Sequence, residues 1–405
     1  MEAVILAAGE GIRMRPLTAN HPKAMLPIAN KPILEHLVTQ VKRAGISDFV
    51  FIVGHKDEQI TDYFGNGDKW GVRILYRLQQ QAMGTADALK MAQDVARENF
   101  LVLNGDIIVD EHDIRELSQS DQITIGVKEV NDPSGLGIIE EMDGFVRHII
   151  EKPEFPTSKL VNTGIYFMTP QIFSAISRTT KSTRGEFELT RSIEMLIEQG
   201  IPIRCETLEY WQDIGYPWDL LDANAAAMSD LNVSNNGVIE ENVHIQGPFN
   251  IGQGTIIRSG SYITGPVCIG CNCDVGPNCF IRPSTSIGDD CRIGAGVEIK
   301  NSIIMRGTYI PHQNYVGDSV IGENCNLGAG TKIANQRLDK NEIHISDQNT
   351  KRKKLGAIIG DGVMTGINVS INAGSIIGNN VWIGPGMLAT GVTPDNVHLR
   401  VEKPV

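Results

Sequence analysis

The sequence has 405 residues, enough for two or more domains that each bury a hydrophobic core. Its formal net charge is −12, and it lacks the concentrated Lys and Arg of a nucleic-acid or anionic-membrane surface, so we expect no nucleic-acid and no membrane partner. The N-terminus has no basic region followed by a long apolar stretch, and no segment resembles a membrane span. We therefore expect the seven cysteines to lie in a reducing, cytoplasmic environment.

Strand-like and helix-like stretches alternate through residues 1–216. Short apolar runs and amphipathic periodicity predict strands at 3–7, 48–53, 73–77 and 100–106, and helices over 31–45 and 85–98. Pro32 suits the first turn of the first helix, and Thr85 is the candidate N-cap of the second. This order predicts an α/β domain whose mostly parallel sheet carries helices on both faces.

Residues 237–405 repeat with a period of six. Eleven aliphatic residues follow one another at this spacing: Ile239, Ile245, Ile251, Ile257, Ile263, Ile269, Val275, Ile281, Ile287, Ile293 and Ile299. The phase resumes at Ile321 and, after an interruption at about 334–358, again at Ile359. Such hexapeptide repeats are typical of a parallel β-helix, conventionally left-handed, with three six-residue sides to each coil. The join at 217–236 is predicted to be a helical linker.

The same register accounts for most of the cysteines. Four of them each follow an inward aliphatic residue by four positions, in a slot that takes small side chains: Cys273, Cys279, Cys291 and Cys325. The alternative is a metal site, because Cys268, Cys271 and Cys273 have ligand-like spacing. The repeat already explains the positions, and no second CxxC or paired histidine lies nearby, so we favour a structural role.

The turn after the first predicted strand, in the stretch VILAAGEGIRMRP at 4–16, is the first candidate site. Met14 stands where a dinucleotide fingerprint needs its third glycine, and no GK pair completes a P-loop. Gly9 and Gly11 are expected to adopt positive φ and to let backbone N–H groups cradle phosphate oxygens. Arg13 and Lys23 supply charge for a polyphosphate. This turn and the NGD turn ending at 106 fall at the same edge of the predicted sheet, where ligands bind.

Several motifs in the first half resemble those of sugar-1-phosphate nucleotidylyltransferases. They are LAAGEGIRM with the later PK and KP pairs, LQQQAMGTADA, LNGD, GLGII, IIEKP, VNTGIYFM and WQDIG, all in the order typical of the family. The resemblance implies attack of a sugar-1-phosphate oxygen on the α-phosphorus of UTP or dTTP, with release of pyrophosphate. Because both reactants are anionic, such a reaction needs charge neutralisation, which Mg²⁺ supplies well.

The resemblance also implies roles for individual residues. Catalysis falls to Arg13 and Lys23, and Mg²⁺ binding to Asp106 and Asp213. Nucleotide binding falls to Leu6, Ala8, Gly9, Gly11, Gln79, Gly84 and Thr85, and sugar-phosphate binding to Gly137, Glu151, Lys152 and Asn162. The bacterial bifunctional enzyme has Asn at the second metal position, so Asp213 in WQDIG looks more like the thymidylyltransferase branch.

The repeat domain resembles the acetyltransferase half of the bifunctional enzyme that makes UDP-N-acetylglucosamine. A sugar amine attacking acetyl-CoA needs a proton acceptor near neutral pH, and His312 in PHQNY is the candidate. The resemblance implies contacts to sugar phosphate and acetyl-CoA from Arg282, Lys300, Tyr315, Asn326, Ala329 and Asn335. One family lysine is replaced by Asn341, with Lys340 adjacent. The basic run at 349–354 is a solvated stretch or lies near CoA phosphates of a neighbouring subunit.

Three functional hypotheses follow. The favoured one is bifunctional synthesis of UDP-N-acetylglucosamine from glucosamine-1-phosphate, acetyl-CoA and UTP, with Mg²⁺ as cofactor. The second is a glucose-1-phosphate thymidylyl- or uridylyltransferase whose β-helix only oligomerises. The third is a regulatory relative that binds sugar nucleotides without catalysis. The resemblance implies a homotrimer or a dimer of trimers, and leaves open the choice between UTP and dTTP and the acceptance of galactosamine-1-phosphate.

Overall fold

A computed structural model describes residues 1–400, and the chain divides into two compact units. The first unit contains Met1–Gly11, His21–Met25 and Ile33–Asp213, and the second contains Ile12–Asn20, Leu26–Pro32 and the chain from Ile214 onwards. Two short stretches near the N-terminus therefore fold with the C-terminal half. The domain limits at 216 and 236 stay a prediction.

The elements of the N-terminal half and the join are short and regular. The strands are β1 (Glu2–Leu6), β2 (Pro27–Ile28), β3 (Lys31–Pro32), β4 (Asp48–Val53), β5 (Arg73–Leu78), β6 (Phe100–Asn104), β7 (Ile107–Val109), β8 (Thr124–Glu129), β9 (Ile138–Met142), β10 (Phe145–Ile150), β11 (Leu160–Met168), β12 (Arg204–Thr207) and β13 (Trp211–Asp213). The α-helices are α1 (Ile33–Arg43), α2 (Asp57–Phe64), α3 (Thr85–Lys90), α4 (Glu111–Ser118), α5 (Ile172–Ile176), α6 (Leu189–Glu198) and α7 (Asp219–Ala227). Short 3₁₀ helices cover Ile12–Met14, Leu17–Ala19, Lys23–Met25 and Asp68–Trp70.

The main sheet of the first unit is mixed rather than mostly parallel. Its strand order is β5-β4-β1-β6-β11-β8-β12-β10-β9. Strands β5, β4, β1 and β6 run parallel, as predicted, but β11 runs antiparallel to both β6 and β8, and β9 and β10 form an antiparallel hairpin. The hairpin turns at Asp143 and Gly144, whose φ values are 57° and 80°. Positive φ at both central residues is the conformation that an Asp-Gly hairpin turn favours.

Helices cover both faces of this sheet, as predicted. Ala3 and Ile5 point into one core, which α1, α2 and α4 complete, and Val4 points into the other, with α3, α5 and α6. The alternation follows from the two-residue period of a strand.

Two details of the predicted helices were wrong. Pro32 is not in the first turn of α1, because it pairs with Pro27 in the β2–β3 hairpin before the helix begins at Ile33. Thr85 is not an N-cap, because Gly84 occupies that position and Thr85 is the first helical residue. Helix α3 also ends at Lys90, whereas the predicted helix extended to residue 98. Tight turns follow Lys90.

The second unit contains three sheets of stacked parallel strands. The first sheet contains Ser234–Asn235, Phe249–Ile251, Val267–Ile269, Thr285–Ile287, Ile303–Ile304, Val320–Ile321, Ala357–Ile359, Ser375–Ile377 and Val392–Thr393. The second contains Val238–Ile239, Ile256–Ile257, Asp274–Val275, Arg292–Ile293, Tyr309–Ile310, Asn326–Leu327, Met364–Thr365, Trp382–Ile383 and His398–Leu399. The third contains His244–Gln246, Tyr262–Thr264, Phe280–Ile281, Glu298–Lys300, Tyr315–Gly317, Lys332–Ile333, Ser370–Ile371 and Leu388–Ala389.

Successive strands enter the three sheets in turn, which is the arrangement of a β-helix. Ile257 lies opposite Val275, and Val275 opposite Ile293, so 18 residues return the chain to the same sheet. These side chains are fully buried in one continuous core. A separate hairpin of His344–Ile345 and Gln348–Asn349 interrupts the stack, inside the predicted interruption.

The cysteines of the second unit support the structural interpretation. Cys273, Cys279 and Cys291 are buried in the β-helix core, as is Cys325. The Cys273 thiol donates to the carbonyl of Gly288 at 3.1 Å, and burial raises the pKa of Cys279 to about 11. All seven cysteines are free thiols. Within residues 1–400, no helix combines the length and apolar character needed to cross a bilayer.

Candidate active sites

The first candidate site lies in the first unit, at the carboxyl ends of parallel strands β1, β4, β5 and β6. The N–H of Gly105 donates to the carbonyl of Leu6 at 2.9 Å, and a β-carbon on Gly105 would lie 3.0 Å from the same oxygen. Ala8 is buried, and a β-carbon on Gly54 would lie 3.1 Å from its methyl group. A β-carbon on Gly9, in contrast, would meet no atom within 4 Å. The strand ends are tightly packed, and the turn beyond them is open.

The two glycines of this turn differ in conformation. Gly11 adopts a φ of 63°, as predicted, whereas Gly9 does not have positive φ, so that expectation was wrong. Gly9 is exposed. It would therefore help a ligand to approach because the space above it is open, and not because of its backbone conformation.

Lys23 and Asp106 meet at this edge. Lys23 begins the 3₁₀ helix after Pro22, and Asp106 follows β6. The Lys23 Nζ lies 2.5 Å from Asp106 Oδ2, and the two side chains are 12% and 29% exposed. The partial burial of the pair makes its attraction stronger than that of a surface ion pair.

Asp213 is brought close to Asp106 by the pairing of two short strands. Strand β13 pairs antiparallel with β7, and Asp213 stands opposite Ile107, the residue that follows Asp106. The fold therefore brings Asp213 of β13 beside the turn that carries Asp106, directly before β7. Carboxylate oxygens of this kind are the ligands that Mg²⁺ prefers.

The predicted base-recognition residues form one interlocked loop. Gln79 is buried, and its Nε2 donates to Asp87 Oδ2 at 2.7 Å and to the carbonyl of Gly84 at 3.2 Å. Gly84 has a φ of 111°, and a β-carbon there would lie 2.4 Å from the carbonyl oxygen of Phe187. Thr85 Oγ1 accepts the N–H of Leu189 at 3.0 Å. Asp87 and Phe187, which the sequence analysis did not include, fix the loop in place.

The predicted sugar-binding residues lie together on another part of the first unit. The N–H of Asn162 donates to the carbonyl of Gly137 at 2.8 Å, and a β-carbon on Gly137 would lie 3.3 Å from Glu151 Oε2. Glu151 Oε1 also lies 3.4 Å from Lys152 Nζ. The Asn162 Nδ2 donates to the hydroxyl of Tyr166, whose pKa is raised because the group is buried.

Two further residues hold the Glu151 carboxylate. Arg184 Nη1 donates to Oε1 at 3.2 Å, and the Thr190 hydroxyl donates to Oε2 at 3.1 Å. Arg184 stands in the polar stretch KSTRGEFE, which carries no periodic or turn signal that would have marked it for this role.

Arg13 belongs to the second unit, as part of Ile12–Asn20. Its guanidinium carbon lies 5.2 Å from the ring centroid of Tyr216, a cation–π geometry.

The second candidate site lies in the second unit, on the third sheet and the corner that follows it. Arg282 Nη1 donates to Glu298 Oε1 at 2.9 Å, and Lys300 Nζ lies 3.2 Å from Asp318 Oδ2. The Nδ2 of Asn335 donates to the same Asp318 oxygen at 2.5 Å. Consecutive rungs thus bring three of the predicted residues to one corner, around two carboxylates.

Tyr315 completes this cluster. Its hydroxyl accepts the Nδ2 of Asn335 at 3.3 Å, and a β-carbon on Gly317 would lie 2.7 Å from that hydroxyl. Burial and the nearby charge of Asp318 raise the pKa of Tyr315, so the phenol stays protonated near neutral pH.

His312 and Ala329 lie at a different corner of the β-helix, between the second and third sheets. His312 is exposed, and its carbonyl accepts the N–H of Gly330 at 2.9 Å, so the turns at 312 and 329 are stacked on successive rungs. Asn326 is exposed on the second sheet, opposite Tyr309. The predicted acetyl-transfer residues therefore divide between two corners and one neighbouring face.

Asn341, which stands where the family has a lysine, makes none of the contacts described above. Asn341 is exposed, and its N–H donates to Asp339 Oδ1 at 3.1 Å, while Lys340 adopts a left-handed φ of 57°. Within the basic run, Arg352 pairs with Asp222 of α7.

Asp318 is the residue that sequence reasoning most clearly missed. Its side chain is 6% exposed, and it accepts from Lys300, from Asn335 and from Asn301 Nδ2 at 2.8 Å. On the next coil Lys300 stands opposite Gly317, and Asp318 is the residue that follows, so the coil repeat was the signal that could have found it.

Two family models match the chain. The family described as Nucleotidyl transferase matches residues 2–230, and the family described as GMPPB C-terminal domain matches residues 263–355. The first match covers the unit with the Lys23–Asp106 pair, and the second covers the third-sheet cluster around Asp318.

Relatives of the whole chain have names that report two activities. The chain is 42% identical over 392 residues to the bifunctional protein GlmU of Methanocaldococcus jannaschii, which covers 96% of this chain and 94% of that protein. It is 40% identical over 394 residues to the bifunctional sugar-1-phosphate nucleotidylyltransferase/acetyltransferase of Sulfurisphaera tokodaii, covering 95% and 96%. A solved structure of a Bacillus anthracis protein, described as a glucose-1-phosphate thymidylyltransferase, is 30% identical with a TM-score of 0.53, covering 58% of this chain and 98% of that one. The chain therefore belongs to the family of bifunctional sugar-1-phosphate nucleotidylyltransferases/acetyltransferases.

Proposed function

We propose that this chain is a bifunctional enzyme that makes UDP-N-acetylglucosamine. The second unit acetylates glucosamine-1-phosphate with acetyl-CoA, and the first transfers a uridylyl group from UTP to the N-acetylglucosamine-1-phosphate so formed. The observation that carries this proposal is the identity of 42% to GlmU across 96% of the chain. Both candidate sites fall within that aligned length.

In the nucleotidyl transfer, an oxygen of the sugar phosphate forms a bond to the α-phosphorus of the nucleotide, and the bond to pyrophosphate breaks. Lys23 and Arg13 would neutralise the negative charge that builds on the triphosphate. Leu6, Ala8, Gly9 and Gly11 would present backbone to the nucleotide. The open space above Gly9 supports a close approach of phosphate.

Asp106 and Asp213 are the residues that would hold Mg²⁺, and they fit it. They provide hard oxygen donors at the paired ends of β7 and β13, and Asp106 remains 29% exposed. Within residues 1–400 no group of three or more His, Cys, Asp or Glu side chains is arranged for a metal, so phosphate and water oxygens would complete the coordination. When bound, the cation supplies positive charge to the reacting phosphates.

The remaining residues of the first site would select the two substrates. Gln79, Gly84 and Thr85 would face the base, in a loop that Asp87 and Phe187 hold rigid. Glu151 and Asn162 would accept and donate hydrogen bonds to sugar hydroxyls, beside Gly137, and Lys152 would contact the sugar phosphate.

In the acetyl transfer, the sugar amine forms a bond to the thioester carbon, the bond to sulfur breaks, and the amine proton leaves. His312 would accept that proton as a general base. Arg282 and Lys300 would bind the sugar phosphate, with Tyr315, Asn326 and Asn335 on the sugar. The Ala329 backbone would contact acetyl-CoA.

The carboxylates beside the two cations support this assignment. Glu298 engages one nitrogen of Arg282, and a guanidinium has five N–H donors, so most of that side chain stays available to phosphate. Asp318 orients Lys300 and Asn335 from a buried position.

The proposal extends to the assembly and the compartment. We propose that the stacked sheets form a left-handed β-helix of hexapeptide repeats and that the chain is a homotrimer in a reducing cytoplasm. Tyr309, Met364 and Trp382 lie in one row along the second sheet, with Asn326 between the first two. The three are 44–50% exposed, which supports a protein contact on that face.

A second candidate function is glucose-1-phosphate thymidylyl transfer. It is favoured by the 30% identity, over 58% of this chain, to the Bacillus anthracis structure described as a glucose-1-phosphate thymidylyltransferase. Asp213 in the WQDIG motif also resembles that branch. In that case the β-helix would serve assembly alone.

An activity matrix tests these candidates. Pyrophosphate release is measured with UTP or dTTP against N-acetylglucosamine-1-phosphate or glucose-1-phosphate, with and without Mg²⁺. We expect the highest kcat/KM for UTP with N-acetylglucosamine-1-phosphate. A preference for dTTP with glucose-1-phosphate would favour the second candidate. If no substrate pair released pyrophosphate, the hypothesis of a non-catalytic relative would be favoured instead.

The proposed acetyl transfer is tested by measuring thiol release from acetyl-CoA in the presence of glucosamine-1-phosphate. The same assay with galactosamine-1-phosphate tests the alternative acceptor. We expect His312→Ala to lower kcat by about 10²–10⁴-fold, the usual contribution of a general base. His344→Ala, which removes another exposed histidine of the second unit, is the matched control. Equal activity of the two variants would remove His312 from the mechanism.

A further inference from the structure

A cavity of about 420 Å³ lies within the second unit, lined by none of the residues proposed for acetyl transfer. Its walls come from the segment 12–20, the stretch around Tyr216 and Trp218, the 344–349 hairpin and the last strands of the first sheet. Its volume lies in the range of sites that bind small organic ligands.

One wall of the cavity is positively charged. Arg13 and Arg15 line it and are both exposed, and within residues 1–400 the Arg15 guanidinium has no hydrogen bond or ion pair. Among the described lining residues the single acid is Asp395, whose Oδ1 accepts the N–H of Asn379 at 2.7 Å. The lining therefore has a surplus of positive charge, and guanidinium groups are well shaped for phosphate.

The arginine wall is anchored to the β-helix. Asn379 Nδ2 donates to the carbonyl of Pro16 at 3.1 Å, and Asn20 Nδ2 donates to Asp361 Oδ2 at 2.8 Å. These amide contacts hold the segment at Pro16, which directly follows Arg15, and at its C-terminal end, Asn20.

The rest of the cavity is largely apolar. Trp218 stacks on Tyr216 with centroids 4.8 Å apart and planes 5° apart, and Ile345, Ile376 and Val392 extend this surface. A phosphate ion alone would leave most of the volume unfilled. A flat ring with a ribose would cover the apolar surface while its phosphate reached the arginines, since guanidinium planes also stack on bases.

We propose that this cavity binds a nucleoside monophosphate, and that the bound phosphate engages Arg13 and slows nucleotidyl transfer. One guanidinium cannot serve this phosphate and the nucleotide triphosphate at the same time. The regulatory half of the inference rests on the nucleotidyl transfer proposed above, whereas the binding half does not.

Binding is tested by calorimetric titration of the full-length chain with AMP, UMP and inorganic phosphate. Arg15→Gln removes one phosphate donor, and Val392→Trp fills the cavity without a change of charge. Arg292→Gln, which removes another exposed arginine of the same unit, is the matched control. We expect at least one nucleotide to lose about tenfold or more in affinity in both cavity variants and to bind the control unchanged.

Two outcomes of this titration overturn the inference. In one, neither nucleotide binds the wild-type chain, or their affinities are the same in the wild type and both cavity variants, which places any bound nucleotide elsewhere. In the other, inorganic phosphate binds as tightly as the nucleotides, which removes the role of the apolar surface.

The regulatory half is tested by pyrophosphate release in the presence of the bound nucleotide. We expect inhibition of the wild type and the control, and an inhibition constant about tenfold or more higher in Arg15→Gln and Val392→Trp, with their uninhibited rates retained. Equal inhibition of all four proteins overturns the regulation. If the uninhibited wild type releases no pyrophosphate with any substrate pair, the proposed function fails, and the titration still decides the binding site.

Discussion

Each half of the chain contains a partly buried pair of lysine and aspartate, and the two pairs are built differently. Lys23 and Asp106 are 83 residues apart and meet where separate loops leave one edge of an α/β sheet. Lys300 and Asp318 are 18 residues apart and stand on successive rungs of the β-helix. The first pair depends on the whole topology of the sheet, and the second on a single coil.

The exposure of the two aspartates separates their roles. Asp106 is 29% exposed and pairs with Lys23, so its carboxylate can reach a cation or a phosphate-bound metal. Asp318 is 6% exposed and accepts from three side chains, so it positions its neighbours. If this comparison is correct, neutral variants of the two aspartates will damage different properties.

The largest effect is expected from Asp106→Asn. The substitution keeps the size of the side chain and removes the charge that would bind Mg²⁺, so kcat for pyrophosphate release should fall about 10²–10³-fold. Thiol release from acetyl-CoA should not change. Asp121→Asn, at an exposed surface position, is the control, and a loss of rate no larger than in that control would break the comparison.

The next largest effect is expected from Gly84→Ala in the first unit. Both Gly84 and Gly135 have positive φ, but only at Gly84 would a β-carbon collide with backbone, 2.4 Å from the Phe187 carbonyl. Gly135→Ala should cost about 1–2 kcal/mol of unfolding free energy, and Gly84→Ala about 1–3 kcal/mol more. Urea unfolding of the two variants measures the difference. Equal stabilities would show that the loop of Gln79, Gly84 and Thr85 can move to accommodate the added methyl group.

Asp318→Asn should combine a smaller loss of stability with a specific kinetic effect. It weakens the contacts of a buried carboxylate with Lys300, Asn301 and Asn335, at a cost of about 1–3 kcal/mol in unfolding free energy. Because Lys300 and Asn335 lose their orientation, KM for glucosamine-1-phosphate should rise about tenfold, with pyrophosphate release unchanged.

The control for Asp318 is Asp339→Asn, which disrupts the exposed pair with Arg337. We expect that variant to retain the wild-type KM. Partial recovery of KM in Asp318→Glu would support a positioning role. A KM unchanged in Asp318→Asn would leave the aspartate with a purely structural function.

The smallest effect is expected from an exposed pair, His148 and Glu194, which lie 2.9 Å apart. The hydrogen bond to Glu194 raises the pKa of His148, so the pair stabilises the fold fully below the ordinary histidine pKa of about 6.5 and loses this contribution as the pH rises through the raised pKa. His148 is 60% exposed, so the contribution should stay below about 1 kcal/mol. The stability of His148→Gln relative to wild type should therefore be lower at pH 5.5 than at pH 8.5, and a reversed trend would contradict this reasoning.

The sequence was most informative about the β-helix, for a physical reason. Inward residues such as Ile257, Val275 and Ile293 recur because each coil repeats the same local geometry, and their spacing alone places them in one core. The next coil also places Gly317 opposite Lys300 and so brings Asp318 beside the lysine, although aspartate is a common turn residue in any protein.

The α/β half was less predictable because its pairings are not local. The four predicted strands correspond to β1, β4, β5 and β6, but the antiparallel position of β11 between β6 and β8 has no local signature. The Asp143–Gly144 turn is a local hairpin signal, and it could have located β9 and β10. The folding of Ile12–Asn20 with the second unit depends on side chains such as Asn379, more than 350 residues away in sequence.

The most direct test follows a label through both reactions in one vessel. The wild-type chain is incubated with Mg²⁺, UTP, glucosamine-1-phosphate and acetyl-CoA that carries a deuterated acetyl group, and the nucleotide sugars are weighed by mass spectrometry. We expect UDP-N-acetylglucosamine that contains the deuterated acetyl group. A nucleotide sugar without the label, or label that stays on CoA, would contradict a bifunctional enzyme.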